Sequence, residues 1–200
     1  MTLLDTAPCL RATDGSVLAL PAHRWFAPAD PVDEAVLDRV RGPVLDVGCG
    51  PGRHVVALCA RGVDALGIDI LPAFLSVART RGATVLEACV FGRLPRTGRW
   101  ASALLLDGNI GIGGDPSALL ARLSELLRPD GRVHVELAPD DDHPRGALVV
   151  RAEHRSEPGP WFRWAVVGPR RLDRVARQAD WRVVEHFTIG TRTFAELTRR

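Results

Sequence analysis

Short, almost uninterrupted apolar runs alternate along the chain with amphipathic stretches, and glycine or proline separates nearly every pair. That alternation predicts strands buried on both faces, each followed by a helix that covers them. The first apolar run is Val-Leu-Asp-Val at 44–47, led in by Gly42 and Pro43. Residues 53–61 read as a helix closed by Gly62, and 63–68 as the next strand. The pattern then repeats as helix 72–81, strand 83–87, strand 100–106, helix 117–127 and strand 132–137. Two of the helices announce their starts. Asp30 before Pro31, and Asp115 before Pro116, each place a capping side chain ahead of a proline suited to the first turn. The first of these predicts a helix over 30–40 that leads into strand 44–47. Further on, 147–155 and 161–167 flank Ser156-Glu-Pro-Gly-Pro160 and read as a hairpin inserted before a helix over 169–179. An antiparallel pair, 181–188 and 192–197, completes the pattern. In the arm, residues 1–30, the run 16–20 reads as a short strand, and His23-Arg-Trp-Phe26 is an aromatic and basic cluster. Trp25 and Phe26 either pack the arm onto the domain or make it a flap over a ligand.

The chemistry concentrates where the first strand meets its helix. Gly48, Gly50 and Gly52 let backbone approach a ligand closely, next to the positive end of a helix. Asp69 stands at the end of the second strand, where a carboxylate can accept both hydroxyls of a ribose. Each such charge-assisted bond is worth about 1.5–3 kcal/mol. The dinucleotide fingerprint G-x-G-x-x-G would need glycine or alanine at position 53, which Arg53 occupies. The pattern is instead Asp-x-Gly-x-Gly-x-Gly, with Asp46 inside it.

That form resembles motif I of the class I S-adenosylmethionine-dependent methyltransferases. The resemblance implies that Asp46, Gly48, Gly50 and Gly52 hold the methionine end of S-adenosylmethionine, with Cys49 a small filler of the loop. It gives the ribose to Asp69, with Ile70 beside it, and the adenine to Cys89, Val90 and Phe91. Cys89 stands where the family often has an acid that contacts the adenine amino group, which leaves that contact to backbone groups or to Glu87. The next strand runs into Asp107-Gly-Asn-Ile-Gly-Ile-Gly-Gly-Asp-Pro116, a run similar to one in actinobacterial-type small-molecule methyltransferases. Asp107, Gly108 and Asn109 are then expected to face the transferable methyl, unless Asp107 and Asn109 only shape the loop. Asn109 and His143 are the catalytic candidates, His143 as a general base. Trp25, Trp161 and Trp164 are the candidate walls of an acceptor pocket. The implied architecture is α/β, a three-layer αβα Rossmann-like fold. Its seven-stranded, mostly parallel sheet has the order 3-2-1-4-5-7-6 and an antiparallel carboxyl-terminal strand, in a single domain over 1–200.

Composition narrows the partners. With 46% hydrophobic and 25% charged residues the chain suits a soluble globular domain, and a net charge of +2 gathers neither nucleic acid nor anionic membrane. Every basic residue among the 26 is arginine, which excludes lysine-base or Schiff-base chemistry. The four cysteines, at 9, 49, 59 and 89, form no C-x-x-C pair, so free thiols in a reducing cytoplasm are expected. No signal-peptide core or membrane span stands out. The Asn/Asp-Pro-Pro-aromatic run of nucleic-acid methyltransferases is absent, since Asp107-Gly-Asn takes its place. Three acids and a histidine in Ala138-Pro-Asp-Asp-Asp-His-Pro144 are consecutive in one loop and do not converge on a metal. His54, His134, His154 and His186 read as structural. The expected protein is a monomer or homodimer that acts on a small molecule. A cofactor binder without methyl transfer and a nucleotide-dependent oxidoreductase remain the alternatives.

Overall fold

The computed structural model describes residues 8–138, 146–154 and 157–200. The arm holds two short strands, β1 (Cys9–Ala12) and β2 (Val17–Ala19), and one helical turn, α1 (Ala22–Trp25). Helix α2 (Pro31–Leu37) begins where its cap predicts but is shorter than expected. The Asp30 carboxylate accepts from the amides of Val32 and Asp33, and Asp33 accepts in return from the Asp30 amide. That reciprocal box satisfies donors the helix start cannot satisfy itself.

The main sheet follows the predicted alternation. Strand β3 (Val44–Val47) leads to α3 (Arg53–Ala60), β4 (Ala65–Asp69) to α4 (Pro72–Thr80), and then come β5 (Val85–Glu87) and β6 (Trp100–Leu105). Helix α5 (Pro116–Leu126) precedes β7 (Leu127–Leu137). After the inserted strands β8 (Ala147–His154) and β9 (Glu157–Ala165) come α6 (Pro169–Gln178), β10 (Trp181–Ile189) and β11 (Arg192–Arg199). The seven strands lie in the order β5-β4-β3-β6-β7-β11-β10, and β11 runs antiparallel to both its neighbours. Renumbered within this sheet, the order is the expected 3-2-1-4-5-7-6.

Successive residues of β3 feed opposite layers, which is why a strand covered by helices on both sides reads as a continuous apolar run. Leu45 and Val47 pack with Leu119, Leu120 and Leu123 of α5 and Leu172 of α6. Val44 packs with Val36, Leu58 and Leu75 of α2, α3 and α4. Asp46 shares the face of Val44, so its carboxylate is buried beneath α3. The strand order turns back on itself between β3 and β6, and the carboxyl ends of these two strands frame a crevice.

The arm and the hairpin are not separate embellishments. They form one antiparallel sheet in the order β2-β1-β8-β9, with Leu10 opposite Ala152 and Arg11 opposite Arg151. Leu10, Ala12 and Val150 make its small core, with Trp164 against it. Among the described residues no helix is long and apolar enough to cross a membrane.

Candidate active site

The glycine turn after β3 is a cradle that side chains would fill. Gly48, Gly50 and Gly52 have φ of 73°, 52° and 82°, in the left-handed region where a Cβ is penalised. A Cβ on Gly48 would lie 2.7 Å from Asn109 Nδ2, and one on Gly52 2.8 Å from Ala78 Cβ. The amides of Gly48 and Cys49 donate to the Ile68 carbonyl at 2.9 and 3.0 Å, folding the turn over β4. Asp69 points back at that turn. Its Oδ2 accepts from the Gly50 amide and its Oδ1 from the Leu71 amide, each at 2.9 Å. Burial pushes its carboxyl pKa up. Burial likewise raises the Cys49 thiol, which stays neutral and fills space above Gly67.

Asn109 belongs to the same cradle. Its amide nitrogen donates to the carbonyls of Val47 at 2.9 Å and Gly48 at 3.0 Å, clamping the loop after β6 to the glycine turn. These bonds use the amide nitrogen of Asn109 at the turn. Along the same strand ends, Ile70 is 65% exposed and Phe91 44%. Val90 is buried, and the exposed Cys89 accepts through its carbonyl from the Gly92 amide at 2.9 Å. The Phe91 ring lies so close to Gly113 that a Cβ there would meet it at 2.9 Å.

Asp107 lies just past the end of β6. It holds a left-handed φ of 53°, and its carboxylate is turned onto Arg53, accepting from Nη1 at 2.7 Å and Nη2 at 3.0 Å. Arg24 of the arm adds a bond at 3.3 Å, and Gly108 continues the turn with φ 80°. Arg53 also donates through Nε to Asp33 at 2.8 Å, while Arg192 bridges Asp33 at 2.6 Å and Glu136 at 2.7 Å. Glu136 in turn accepts from the Asp107 amide at 2.8 Å. Arginines 24, 53 and 192 thus interleave with Asp33, Asp107 and Glu136 under the crevice. Burial opposes ionisation of Asp33 and Asp107, but His54 and Arg53 on the first and Arg53 on the second hold both carboxyls below the usual range.

His54 borders this cluster, 3.5 Å from Asp33 and 3.6 Å from Asp46. Asp46 Oδ2 is buried with no hydrogen-bond partner. Burial alone would lower the His54 pKa, yet the two carboxylates outweigh it and raise it from 6.5 to about 9. A raised folded-state pKa stabilises fully below pH 6.5, and the contribution is lost as pH climbs through about 9. The stability of the wild type should therefore fall by up to about 3 kcal/mol between those limits, read from urea midpoints measured across pH. His54→Gln should remove that slope, and an unchanged slope would place the titrating group elsewhere.

The three tryptophans part company. Trp25 meets Phe74 edge-on at 6.3 Å, and Phe26 meets the same ring at 5.9 Å, so the arm lies over α4 beside Gly50. Trp164 borders the loop after β6. A Cβ on Gly111 would lie 2.9 Å from its ring, and one on Gly108 4.0 Å. Trp161 is on the opposite face of β9, 47% exposed, with the Arg151 guanidinium 4.9 Å above its ring. Of this pair, Trp164 is the one beside the loop after β6. His143 and the acids before it lie outside the described residues. His134 is buried in β7, where burial pushes its pKa down to about 4, and His186 is exposed on β10. Among the described residues no three His, Cys, Asp or Glu side chains stand together as a metal site.

Residues 44–131 match the family model described as a methyltransferase domain. The chain is 30% identical over 138 residues to a trans-aconitate 2-methyltransferase of Methylobacterium radiotolerans, covering 68% of this chain and 52% of that protein. It is 27% identical over 152 residues to a ubiquinone biosynthesis O-methyltransferase of Alkalilimnicola ehrlichii, covering 68% of this chain and 59% of that one. The chain thus spans little more than half the length of these curated relatives. Among solved structures, a SAM-dependent methyltransferase from Bacteroides fragilis, in complex with S-adenosyl-L-homocysteine, superposes with a TM-score of 0.80 at 22% identity. That likeness covers 96% of this chain and 87% of the other, and it concerns the fold. With the glycine turn, Asp69 and the sheet order already in place, these matches make the chain a member of the class I S-adenosylmethionine-dependent methyltransferases.

Proposed function

We propose that this chain transfers a methyl group from S-adenosylmethionine to a small-molecule acceptor. The observation that carries the reading is Asp69 turned toward the glycine turn, with its carboxylate fixed by the Gly50 amide at 2.9 Å. The residues present fit the cofactor. Gly48 and Gly52 leave backbone where a Cβ would intrude, Gly50 holds a left-handed φ of 52°, and the buried Asp46 carboxylate has an oxygen with no hydrogen-bond partner among the described residues. In this reading those four residues hold the amino-acid tail, with Cys49 packing the turn from behind. Asp69 takes the ribose hydroxyls, and Ile70, Cys89, Val90 and Phe91 border the base. When bound, the cofactor supplies a methyl already activated by its sulfonium.

What remains for the chain is orientation, which supplies on the order of 7–11 kcal/mol of a transfer barrier. Asn109 fixes the loop after β6 against the glycine turn, Gly108 keeps that loop open, and Trp164 walls its outer side. Asp107 is committed to Arg53 and serves by holding the strand end in place. Position 53 argues against a dinucleotide site a second time. Its side chain is buried under the crevice, where the dinucleotide motif requires glycine or alanine.

Calorimetric titration tests the reading. S-adenosylmethionine and S-adenosylhomocysteine should bind in the micromolar range, and NADH at least about tenfold more weakly. Transfer of labelled methyl to a panel of small acids, phenols and amines then separates an enzyme from a binder. No binding at millimolar cofactor, or tighter binding of NADH, would overturn the proposal.

A further inference from the structure

A cavity of about 690 Å³ lies between the start of α5, the inserted hairpin and α6. Among the described residues, none of those assigned to the crevice lines it. Among the described residues its charged lining is lopsided, with Arg163 from β9 and Arg171 and Arg174 from α6 against a single acid, Asp115. Arg171 and Arg174 are three residues apart on a helix and therefore share a face. Asp115 is already engaged as a cap, its Oδ1 accepting from the Ala118 amide at 3.0 Å.

Many of the chain's arginines are neutralised by an acid. Arg11, Arg24, Arg39, Arg53, Arg61, Arg96, Arg132 and Arg192 each reach a carboxylate. Among the described residues, Arg163, Arg171 and Arg174 have no such partner. Arg171 Nε, like that of Arg24, Arg128 and Arg199, is buried with no hydrogen-bond partner among the described residues. Its guanidinium lies near Gly146, where a Cβ would be 3.5 Å from Nη2. Three like charges around one cavity repel one another until an anion enters. Each guanidinium fork is shaped to take two oxygens of a carboxylate or phosphate. The volume suits a small molecule rather than a lone ion.

We infer that this groove binds a small polyanion carrying two or more carboxylate or phosphate groups. The inference is independent of the methyl-transfer reading, because the two sites share no residue. The test titrates the full chain with citrate, with pyrophosphate and with acetate at low ionic strength, by calorimetry. The same titrations are run on Arg171→Ala/Arg174→Ala and on Arg163→Ala, with S-adenosylmethionine binding and the melting temperature measured alongside. Citrate or pyrophosphate should bind the wild type at least about tenfold more tightly than acetate, and the stronger of the two identifies the preferred group. The double variant should lose about tenfold or more of that affinity, and Arg163→Ala severalfold, with S-adenosylmethionine binding and melting unchanged. Arg174→Gln, at an exposed position, repeats the test should the double variant melt early. If neither polyanion binds better than acetate, or if the variants bind as the wild type does, the inference is overturned. Retained polyanion binding with no cofactor binding would sink the methyl-transfer reading alone.

Discussion

Replacing Arg53 with alanine is expected to lower the free energy of unfolding by about 3–5 kcal/mol. The guanidinium is only 6% exposed and carries bonds to both Asp33 and Asp107. Removing it leaves two buried carboxylates whose countercharge was built in, and the cost lies chiefly in that uncompensated charge rather than in the bonds themselves. Arg53→Lys should fall between, since an ammonium keeps the charge but cannot offer Asp107 a two-pronged contact. Urea midpoints for the three proteins check this. A loss below about 1 kcal/mol in the alanine variant, the scale of a surface pair, would show that the cluster is solvated rather than buried.

The second large effect concerns affinity. Asp69→Ala should weaken S-adenosylmethionine binding by about 10²–10⁴-fold, the equivalent of two charge-assisted hydrogen bonds at about 1.5–3 kcal/mol each. Its fold should survive, because what the structure itself loses is two backbone contacts at Gly50 and Leu71. Asp69→Asn keeps an acceptor without the charge and should lose less. Competition against the wild type with a fluorescent cofactor analogue reads all three. If the alanine variant binds within about tenfold of the wild type, the ribose is held elsewhere, and position 69 only shapes the turn.

The main sheet was legible because its information is local. Residues 44–47 announce a strand covered on both sides, and Asp30-Pro31 and Asp115-Pro116 announce helix starts, all within a few positions of one another. The strand order came through resemblance, carried by the glycine turn and Asp69. What stayed hidden depends on residues that meet only in the folded chain. Arg53 was noticed for the motif it spoils, yet its partners Asp33 and Asp107 are 20 and 54 positions away, and nothing in their neighbours marks them as buried. The run 16–20 was visible as a strand, but its ribbon pairs through β1 with β8, some 140 positions on, and pairing at that distance leaves no local signature. Trp161 and Trp164 look alike in sequence because both are aromatic. Three positions along a strand put them on opposite faces.

The ladder between β1 and β8 has a mechanical consequence. Arg24 and Trp25 follow β2 after a connection of a few residues, and Trp164 stands on β9. Backbone hydrogen bonds therefore join the arm beside Gly50 and the hairpin beside Gly108 and Gly111 into a single leaf. Displacing either by itself would tear a row of those bonds, so a ligand that pries one away must swing the other with it.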